Sequence, residues 1–363
     1  MGTCSSSTAK VRKSGDKSET EKTELELQQD TELITSEFSI ANEQVFNSIN
    51  STDSGGISAV PSFFNPEIKP TIFEYEFIRH VGHGATSDVF LVKNTETGEF
   101  YAAKVYDRGY LFRTSIGDAE QPIQKLLREA QIMSSVQHEN CLSLIEILED
   151  DVTNSITLII PFADAGSLSK YSYKADPLPE DAAKSIFYQI ASGLQRLHSM
   201  NIIHRDLKPD NILKFSDGHV AIADFSVSIV LEDENELLED TDGTPAFYSP
   251  EECLGGPYLG KPTDVWAYGM ILYVMIYGKL PFFDLDDENI FFSQFFEISQ
   301  RIINDEFTYP QTTPISAELR DLFSHVLDKD PKTRYTIEQV LAHQWFDDVR
   351  VVKDNSISVG DCK

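Results

Sequence analysis

The stretch IIHRDLKPDNIL, residues 202–213, contains the most specific arrangement of polar residues in this chain. Asp206, Lys208 and Asn211 stand there at a spacing that suits phosphoryl transfer. An aspartate can accept or orient the proton of an attacking hydroxyl, a lysine can neutralise charge on the transferred phosphoryl group, and an asparagine can bind Mg²⁺. The stretch therefore predicts phosphoryl-transfer chemistry, and His204 beside it is interpreted as a buried supporting residue.

A second metal ligand is predicted in AIADFSVS, residues 221–228, where Asp224 ends a short apolar run. A carboxylate at this point would bind Mg²⁺ from the side opposite Asn211. The predicted metal ligands are therefore Asn211 and Asp224.

A glycine-rich turn precedes both stretches in VGHGATSDVF, residues 81–90. Glycines let the backbone close over phosphates without a side-chain clash, although a glycine pair is more often an ordinary hairpin turn. A nucleotide site is favoured by Lys104 in AAK on the next predicted strand, which would contact the α and β phosphates. The predicted nucleotide-binding residues of the turn are Val81, Gly82, His83, Gly84, Ala85, Thr86, Ser87, Asp88 and Val89.

Glu129 ends KLLRE on the following predicted helix and is the expected partner of Lys104. A lysine buried in a cleft needs such a counter-charge. By itself Glu129 would be interpreted as a surface carboxylate on a helix. The ion pair with Lys104 is favoured only because the other predicted catalytic and nucleotide-binding residues are present. The predicted catalytic residues are Lys104, Glu129, Asp206 and Lys208.

The apolar pattern predicts a disordered arm, two lobes and a short tail. Residues 1–72 contain too few apolar side chains to offset the entropy of ordering the backbone. After them, FEYEFIRHVGHG, DVFLVKN and EFYAAKVYD alternate apolar and polar residues as antiparallel strands do. A helix is predicted for PIQKLLREAQIMSSV, strands are predicted for CLSLIEILED and SITLIIPF, and EDAAKSIFYQIASGLQRLHSM begins a mainly helical second half. We expect an α+β fold with a β-rich lobe over 73–162, a helical lobe over 163–346 and a tail over 347–363.

With these motifs the chain resembles the eukaryotic protein kinase family from residue 73 to residue 346. The resemblance implies a two-lobed fold with ATP and Mg²⁺ between the lobes. Adenine is usually held by the carbonyl of the first hinge residue and the N–H of the third, so proline at the first position removes no donor that is needed. The implied hinge is Pro161, Phe162 and Ala163, preceded by Ile160 as gatekeeper.

The same resemblance assigns structural residues in the helical lobe. Glu251 ends SPE, which is similar to the family's Ala-Pro-Glu with Ser249 substituted, and it would form an ion pair with Arg334 in KDPKTRYT. Asp264 in DVWAYG would brace the catalytic loop.

A narrower resemblance is carried by LIEILED, IADFSVS, GTPAFYSPEE and GKLPF. These stretches look like the calmodulin-dependent kinase kinases and, more closely, the plant kinases that activate an AMP-activated-type energy-sensing kinase. Kinases usually have Gly after Asp-Phe, whereas this chain has Ser226, as those plant kinases do. Ser lacks the conformational freedom of Gly, but it is small enough for the turn, and the metal ligand Asp224 is intact. We therefore expect an active Ser/Thr protein kinase that phosphorylates protein hydroxyls, with an energy-sensing kinase as substrate.

Two departures from the calmodulin-dependent members argue against direct calmodulin binding. Those members have a Pro-rich insert between early strands and a basic amphipathic helix after the catalytic domain. Here VKNTETGEFYAAK is short, and residues 347–363 are acidic or neutral.

Three alternatives stay open at this point. Because Ser226 replaces Gly, the chain is either an active enzyme or a pseudokinase scaffold that binds nucleotide without transfer. A general Ser/Thr kinase with unrelated substrates is the second alternative. A kinase for small molecules or lipids is the third, and HRDLKPDN with GTPAFYSPE argues against it, because LKP with that loop is the protein Ser/Thr form of the family.

Four residues are predicted to regulate activity. Asp240 lies three residues before Gly243, where many kinases carry an activating phosphothreonine, and Arg205 would normally bind that phosphate. A carboxylate there predicts a kinase ordered without an upstream enzyme. Thr241 is a candidate autophosphorylation site, and the Thr244 hydroxyl would meet Asp206 and Lys208.

The first residues, MGTCSSSTAKVRKSG, match the pattern for N-myristoylation at Gly2, and Cys4 is placed for palmitoylation. One myristoyl chain binds membranes only marginally, so a second acyl chain or the nearby basic residues would be needed for a stable anchor. The alternative is an ordinary terminus that begins with Gly. We expect a cytoplasmic protein that associates with membranes through this terminus.

The overall composition limits the class of protein. The chain has 363 residues, 41% of them hydrophobic, which is enough for a sizeable core, and a formal charge of −29. This charge opposes nonspecific attraction to nucleic acid, so we expect no nucleic-acid partner. The four cysteines lie far apart without a CxxC pair, which argues against a disulfide framework or zinc cluster and favours a reducing compartment. No apolar run in the sequence is long enough to cross a bilayer, and no secretory signal is expected.

Overall fold

Alternating apolar and polar residues build a seven-stranded sheet within the residues that the computed structural model describes, namely 10–13, 71–84, 86–112, 121–172, 177–282, 295–311 and 313–350. The strands of this sheet are β1 (Lys10–Lys13), β2 (Thr71–Ile72), β3 (Tyr75–His83), β4 (Asp88–Asn94), β5 (Phe100–Asp107), β6 (Glu146–Asp150) and β7 (Ser155–Pro161). They lie in the order β1-β6-β7-β5-β4-β3-β2. Neighbouring strands are antiparallel except β1, which runs parallel to β6.

The register of the sheet gives it two different faces. Lys104 lies opposite Val89 and Leu158, and Ala103 lies opposite Phe90 and Ile159. Directly opposed residues share a face, and successive residues alternate between faces. The face that carries Lys104 adjoins the main core, whereas Phe90 packs in a separate small core on the other face.

Two helices accompany the sheet, α1 (Arg108–Leu111) and α2 (Pro122–Ser135). Helix α2 begins with Pro122, whose fixed φ and missing N–H suit the first helical position. Gln121, which precedes the helix, and Gln124 in its first turn form a capping box. Its buried residues include Leu126, Glu129 and Met133. An amphipathic helix packed in this way presents Glu129 inward, toward the sheet.

The second lobe is mainly helical. Its helices are α3 (Glu180–Ser199), α4 (Pro250–Leu254), α5 (Gly260–Tyr277), α6 (Phe295–Asn304), α7 (Ala317–Val326) and α8 (Ile337–Ala342). Helix α5 is buried along nearly its whole length, and Trp266 and Tyr268 are fully enclosed. Full burial of such side chains contributes roughly 1.5–3 kcal/mol each, so α5 is the centre of this lobe. Along the described part of the chain, none of the helices combines the length and apolar character needed to cross a bilayer.

Short strands lie between the helices, and the polar residues singled out above lie in the loops that follow two of them, β8 and β10. They are β8 (Ile202–Ile203), β9 (Ile212–Lys214), β10 (Val220–Ile222), β11 (Ile229–Val230), β12 (Leu237–Leu238) and β13 (Tyr258–Leu259). Strand β9 pairs with β10, β8 with β11, and β12 with β13, all antiparallel. The α+β two-lobed fold expected from the sequence is confirmed.

One expectation about local structure was wrong in part. CLSLIEILED was predicted as one strand, but β6 contains only Glu146–Asp150. Cys141 forms an isolated bridge with Ile222, and the Leu142 N–H donates to the carbonyl of Ile222 at 2.8 Å. The first half of the stretch therefore bonds to β10 in the other lobe, which removes it from the sheet.

Within the predicted disordered arm of residues 1–72, the structure describes residues 10–13 and 71–72. Residues 71–72 form β2. Lys10–Lys13 form β1 on the edge of the sheet, where they pair in parallel register with residues 146–149 of β6. An edge strand offers unpaired backbone N–H and C=O groups to any extended segment. The other residues of the arm and residues 351–363 of the tail lie outside the described residues.

Candidate active site

A buried carboxylate shapes the loop between β8 and β9. Asp264 accepts hydrogen bonds from the backbone N–H groups of His204, at 2.9 Å, and Arg205, at 3.0 Å, and from Nε2 of His198 at 3.0 Å. Arg205 has φ 68°, a left-handed conformation that is costly for a non-glycine residue. The contacts to Asp264 hold this conformation in place, which is the bracing position predicted for Asp264.

Asp206 is the centre of a polar cluster on this loop. Its Oδ1 accepts from Oγ1 of Thr244 at 2.7 Å, and its Oδ2 accepts from Nζ of Lys208 at 2.7 Å and from Nδ2 of Asn211 at 3.2 Å. Lys208 also donates to Oγ1 of Thr244 at 2.9 Å. The contact of Thr244 with Asp206 and Lys208 that the sequence predicted is present, and both carboxylate oxygens of Asp206 are held in fixed directions.

Lys104 lies between two carboxylates at the cleft face of the sheet. Its Nζ is 2.7 Å from Oε1 of Glu129 and 3.1 Å from Oδ1 of Asp224. Burial of Lys104 opposes its charge, but the charges of Glu129 and Asp224 outweigh burial and raise the pKa of Lys104 well above its usual value. The lysine therefore stays cationic, and the predicted pairing of Lys104 with Glu129 is present.

Tyr106 supports this ion pair, a role that was not predicted from the sequence. Its hydroxyl donates to Oε2 of Glu129 at 2.8 Å, so both oxygens of that buried carboxylate have partners. Burial, together with the nearby carboxylate, raises the pKa of Tyr106, which keeps its hydroxyl protonated as a donor.

Asp224 has an unusual backbone and a low pKa. Its φ of 64° lies in the left-handed region. Burial of the carboxyl would raise its pKa, but Lys104 and a side-chain hydrogen bond with Ser226 lower it, and the net shift is downward. Ser226 is thus more than a tolerated substitution, because it stabilises the ionised form of Asp224.

Asn211 and Asp224 form a donor set that fits Mg²⁺. The Ala223 N–H donates to the carbonyl of Asn211 at 2.9 Å, which places the two predicted ligands side by side. The amide nitrogen of Asn211 is engaged by Asp206, so its oxygen is the atom left to coordinate a metal. An amide oxygen and an ionised carboxylate are the hard oxygen ligands that Mg²⁺ prefers.

The glycine-rich turn connects β3 to β4 above the cleft. The N–H of Gly84 donates to the carbonyl of Ser87 at 2.7 Å and closes the turn. Val89 lies on the cleft face opposite Lys104, whereas the side chains of His83 and Asp88 lie on the other face. Only the backbone atoms of these two residues could therefore contact a nucleotide in the cleft. The other predicted residues of the turn belong to the same hairpin, except Ala85, which lies outside the described residues.

The predicted hinge follows the end of β7. Ile160 and Pro161 lie opposite Ala102 and Tyr101, so the hinge begins where the central sheet ends. Ile160 is buried, and the carbonyl of Ala163 accepts from the N–H of Gly166 in a turn at 3.1 Å. The gatekeeper and hinge positions implied by the resemblance thus border the cleft side of the sheet.

Arg205, one of the predicted regulatory residues, contacts two acidic residues of the following segment. Its guanidinium lies 3.1 Å from Oδ1 of Asp240 and 3.6 Å from Oδ2 of Asp242, and it donates to the carbonyl of Asp240 at 3.0 Å. Tyr258 donates to the same carbonyl at 2.7 Å. Thr241, between the two acids, is exposed. The contact of Arg205 with Asp242 was not predicted from the sequence.

Gly243 was also missed, since the sequence used it only as a reference position. Its φ is +116°, and a Cβ there would lie 2.4 Å from the carbonyl oxygen of Arg205 and 3.3 Å from Oδ1 of Asp206. No side chain fits at 2.4 Å from a backbone oxygen, so only glycine lets this segment approach the catalytic loop. The one signal in the sequence was a glycine between an acidic run and Thr-Pro.

Glu251 and Arg334 form the predicted ion pair in the helical lobe. The two nitrogens of the guanidinium end lie 2.6 and 2.9 Å from the two oxygens of the carboxylate. Arg334 also donates to the carbonyl of Pro262 and lies over the ring of Trp266, 5.1 Å from its centroid. This buried, bidentate pair joins the start of α4 to the segment between α7 and α8. Gly2 and Cys4, the predicted lipidation sites, lie outside the described residues.

Comparison with known proteins gives matches over the same region. The model of the protein kinase domain matches residues 75–346. The chain is 35% identical over 277 residues to serine/threonine-protein kinase GRIK2 of Arabidopsis thaliana, and 34% identical over 276 residues to GRIK1 of the same plant, with 76% of this chain covered in each case. It is 31% identical over 291 residues to a calcium/calmodulin-dependent protein kinase kinase of Caenorhabditis elegans, with 75% of this chain covered. The aligned regions span 66% and 67% of the two plant proteins and 52% of the nematode protein.

Proposed function

Because the chain belongs to the protein kinase family and is an enzyme of its serine/threonine class, we propose that it acts on another protein kinase. The proposed reaction transfers the γ-phosphoryl group of ATP to a threonine hydroxyl in the activation loop of an AMP-activated-type energy-sensing kinase. One relative is itself named a protein kinase kinase, and the motifs around Ser226 look like those of plant kinases that activate such an enzyme. Both observations support a kinase as the substrate.

The observation that carries the chemistry is the position of the Thr244 hydroxyl, 2.7 Å from Asp206 and 2.9 Å from Lys208. It demonstrates that Oδ1 of Asp206 accepts a hydrogen bond from a threonine hydroxyl in this geometry. We assign Asp206 the role of orienting the acceptor hydroxyl and receiving its proton, and Lys208 that of balancing charge on the transferred group. Thr244 beside them favours a Ser or Thr acceptor.

The other catalytic residues hold the nucleotide. Lys104, kept cationic by Glu129, would bind the α and β phosphates, and the backbone of the glycine-rich turn would cover them. The protein kinase fold implies ATP and a divalent metal, and Mg²⁺ held by Asn211 and Asp224 would neutralise charge on the phosphates. The low pKa of Asp224, to which Ser226 contributes, keeps that ligand ionised.

Acidic groups near the acceptor position favour a basic sequence before the acceptor residue. Asp210 beside Asn211 is exposed, and Asp240 and Asp242 border the same segment. Their field attracts basic residues of a substrate and repels acidic ones. The proposed substrate therefore combines a folded kinase surface with a basic stretch ahead of its activation-loop threonine.

Comparative kinetics test this proposal. We expect kcat/KM for a folded, catalytically inactive energy-sensing kinase to exceed that for a peptide with the same activation-loop sequence by about 100-fold, because docking supplies binding that a peptide lacks. Equal values for the two substrates would replace the upstream role with a general Ser/Thr kinase.

We also propose that the chain is cytoplasmic and associates with membranes through acylation of Gly2 and Cys4. The sequence pattern and the basic residues after it support this proposal. The basic segment Lys10–Lys13 lies on β6 in this structure, so a membrane surface and the sheet edge would compete for it. Gly2→Ala, which replaces the glycine that N-myristoylation requires, should move the protein from membrane to soluble fractions in a cell extract. An unchanged distribution would refute the anchor.

A further inference from the structure

Two histidines and an aspartate meet on the outside of the glycine-rich hairpin. Nε2 of His80 lies 3.0 Å from Oδ1 of Asp88, and Nδ1 of His83 contacts the same oxygen. The two imidazole rings are 4.2 Å apart between centroids, and one ligand atom from each of the three residues lies within 4.8 Å of the others. The kinase reaction described above uses none of these three side chains.

A β-bulge creates this arrangement. His80 lies opposite Phe90 and Gly82 opposite Val89, so β3 has one more residue than β4 at this point, namely Val81. In a regular strand, residues three apart point to opposite faces. The extra residue reverses the alternation and brings His80 and His83 to the same face, with Asp88 directly opposite His83. Bulges commonly re-aim side chains in this way near functional sites.

The three side chains have the chemistry of a transition-metal site. Imidazole nitrogen and carboxylate oxygen are ordinary Zn²⁺ ligands, and three protein ligands with water in the fourth position make an open tetrahedral site. Ligand atoms bound to one Zn²⁺ at about 2.0–2.1 Å lie about 3.3 Å apart, close to the spacing between His80 and Asp88. His80 also meets the ring of Phe90 edge-on, 5.0 Å between centroids, which helps to fix its orientation.

The cluster is open to solvent and separate from the nucleotide cleft. The His83 side chain is 52% exposed, whereas that of Asp88 is 15% exposed, so an ion would enter from the outer surface of the lobe. Asp88 lies opposite Val105 on the sheet face of the small core, and Lys104 occupies the other face. A metal bound here would tie β3 to β4 beside the glycine turn without occupying the site of Asp224.

We propose that His80, His83 and Asp88 form a binding site for a divalent transition-metal ion, Zn²⁺ by preference, on the outer face of the glycine-rich hairpin. The ion would cross-link the two strands that carry the nucleotide lid. The site therefore gives the lid a second ligand, chemically unlike Mg²⁺ and bound on the opposite side of the sheet.

Zinc titration of the full chain tests this proposal. Calorimetry with Zn²⁺ alone as the probe, in excess Mg²⁺ and a non-hydrolysable ATP analogue to fill the cleft, should show one equivalent of Zn²⁺ bound. His83→Ala should weaken this affinity about 100-fold or more, because loss even of an outer partner of a metal ligand costs about 10–100-fold. Co²⁺ should give the visible absorption of a four-coordinate site, and His83→Ala should abolish it.

The matched control is His325→Ala. His325 and His343 also flank an aspartate, Asp321, but Nδ1 of His325 is 3.9 Å from that carboxylate and 2.8 Å from the backbone carbonyl of Asp321. This variant should bind Zn²⁺ as the parent does. His83 is half-exposed, so its replacement keeps the fold, as a thermal melt would verify. Absence of a Zn²⁺ equivalent in the parent, or equal affinity in His83→Ala, would overturn the proposal.

Discussion

Thr244 and Asp206 are joined by a hydrogen bond of 2.7 Å, from Oγ1 of the threonine to Oδ1 of the aspartate. Gly243, immediately before Thr244, makes this approach possible because it has no side chain to meet the carbonyl of Arg205. The segment that follows the acidic run is thereby fixed against the catalytic loop. The polar cluster around Asp206 is thus assembled by residues from both segments.

Replacement of Lys104 by Met, or of Asp206 by Asn, should abolish phosphotransfer and leave the fold intact. Both residues act through charge placed at the cleft, and such losses amount to about a thousand-fold or more. The measurement is transfer of labelled phosphate from Mg-ATP to a generic protein, alongside circular dichroism. Near-normal turnover of Asp206→Asn would show that the catalytic residue is misassigned.

Gly243→Ala should reduce kcat about 100-fold or more, because its Cβ would lie 2.4 Å from a backbone oxygen of the catalytic loop. The matched control is Gly218→Ala, where φ is +91° but nothing lies within 4 Å of the added Cβ. Both variants carry left-handed strain of about 1–3 kcal/mol. Only the first should lose activity, and equal activities would show that the close approach of Gly243 is unimportant.

The Glu252 carboxyl should make the protein less stable as the pH rises toward neutrality. Burial raises its pKa from 4.5 to about 7, although hydrogen bonds from Ser249 oppose the shift. Between these two values the folded state holds a proton that the unfolded state has released, so the free energy of unfolding falls with rising pH and levels off above about 7.

Denaturant melts of the parent and of Glu252→Gln check this dependence. The difference in unfolding free energy, parent minus variant, should fall by roughly 2 kcal/mol from about pH 5 to about pH 8. A difference that stays constant, or that rises with pH, would show that Glu252 is ionised in the folded state throughout.

Protein made in bacteria and treated with phosphatase should keep most of its kinase activity. Arg205 already contacts the carboxylates of Asp240 and Asp242, which occupy the region where many kinases need a phosphothreonine. The comparison is activity before and after treatment, with loss of phosphate verified by mass spectrometry. Complete loss of activity would identify an essential phosphate, with exposed Thr241 as the first position to examine.

The motifs were predictable because their chemistry depends on short spacings. Asp206, Lys208 and Asn211 lie within one loop, so their meeting follows from local sequence. The contact of Tyr106 with Glu129 was not predictable, because it depends on how α2 packs against β5. Sequence alone places neither the bulge at Val81 nor the left-handed φ of Asp224, since both arise from long-range pairing and packing.

The position of β1 was unpredictable for a related reason. Lys10–Lys13 has no local pattern strong enough to predict a strand, and its pairing requires a free edge that only the assembled sheet provides. The division of CLSLIEILED between a strand and a bridge to Ile222 likewise depends on contact between the lobes.

Phosphate mapping by tandem mass spectrometry tests the upstream-kinase role most directly. The substrate is a folded energy-sensing kinase made catalytically inactive, so that it cannot label itself, and the control enzyme is Asp206→Asn. The expected result is phosphate on the activation-loop threonine with the parent enzyme and none with the control. An unmodified activation-loop threonine, beside efficient labelling of a short basic peptide, would contradict the proposal.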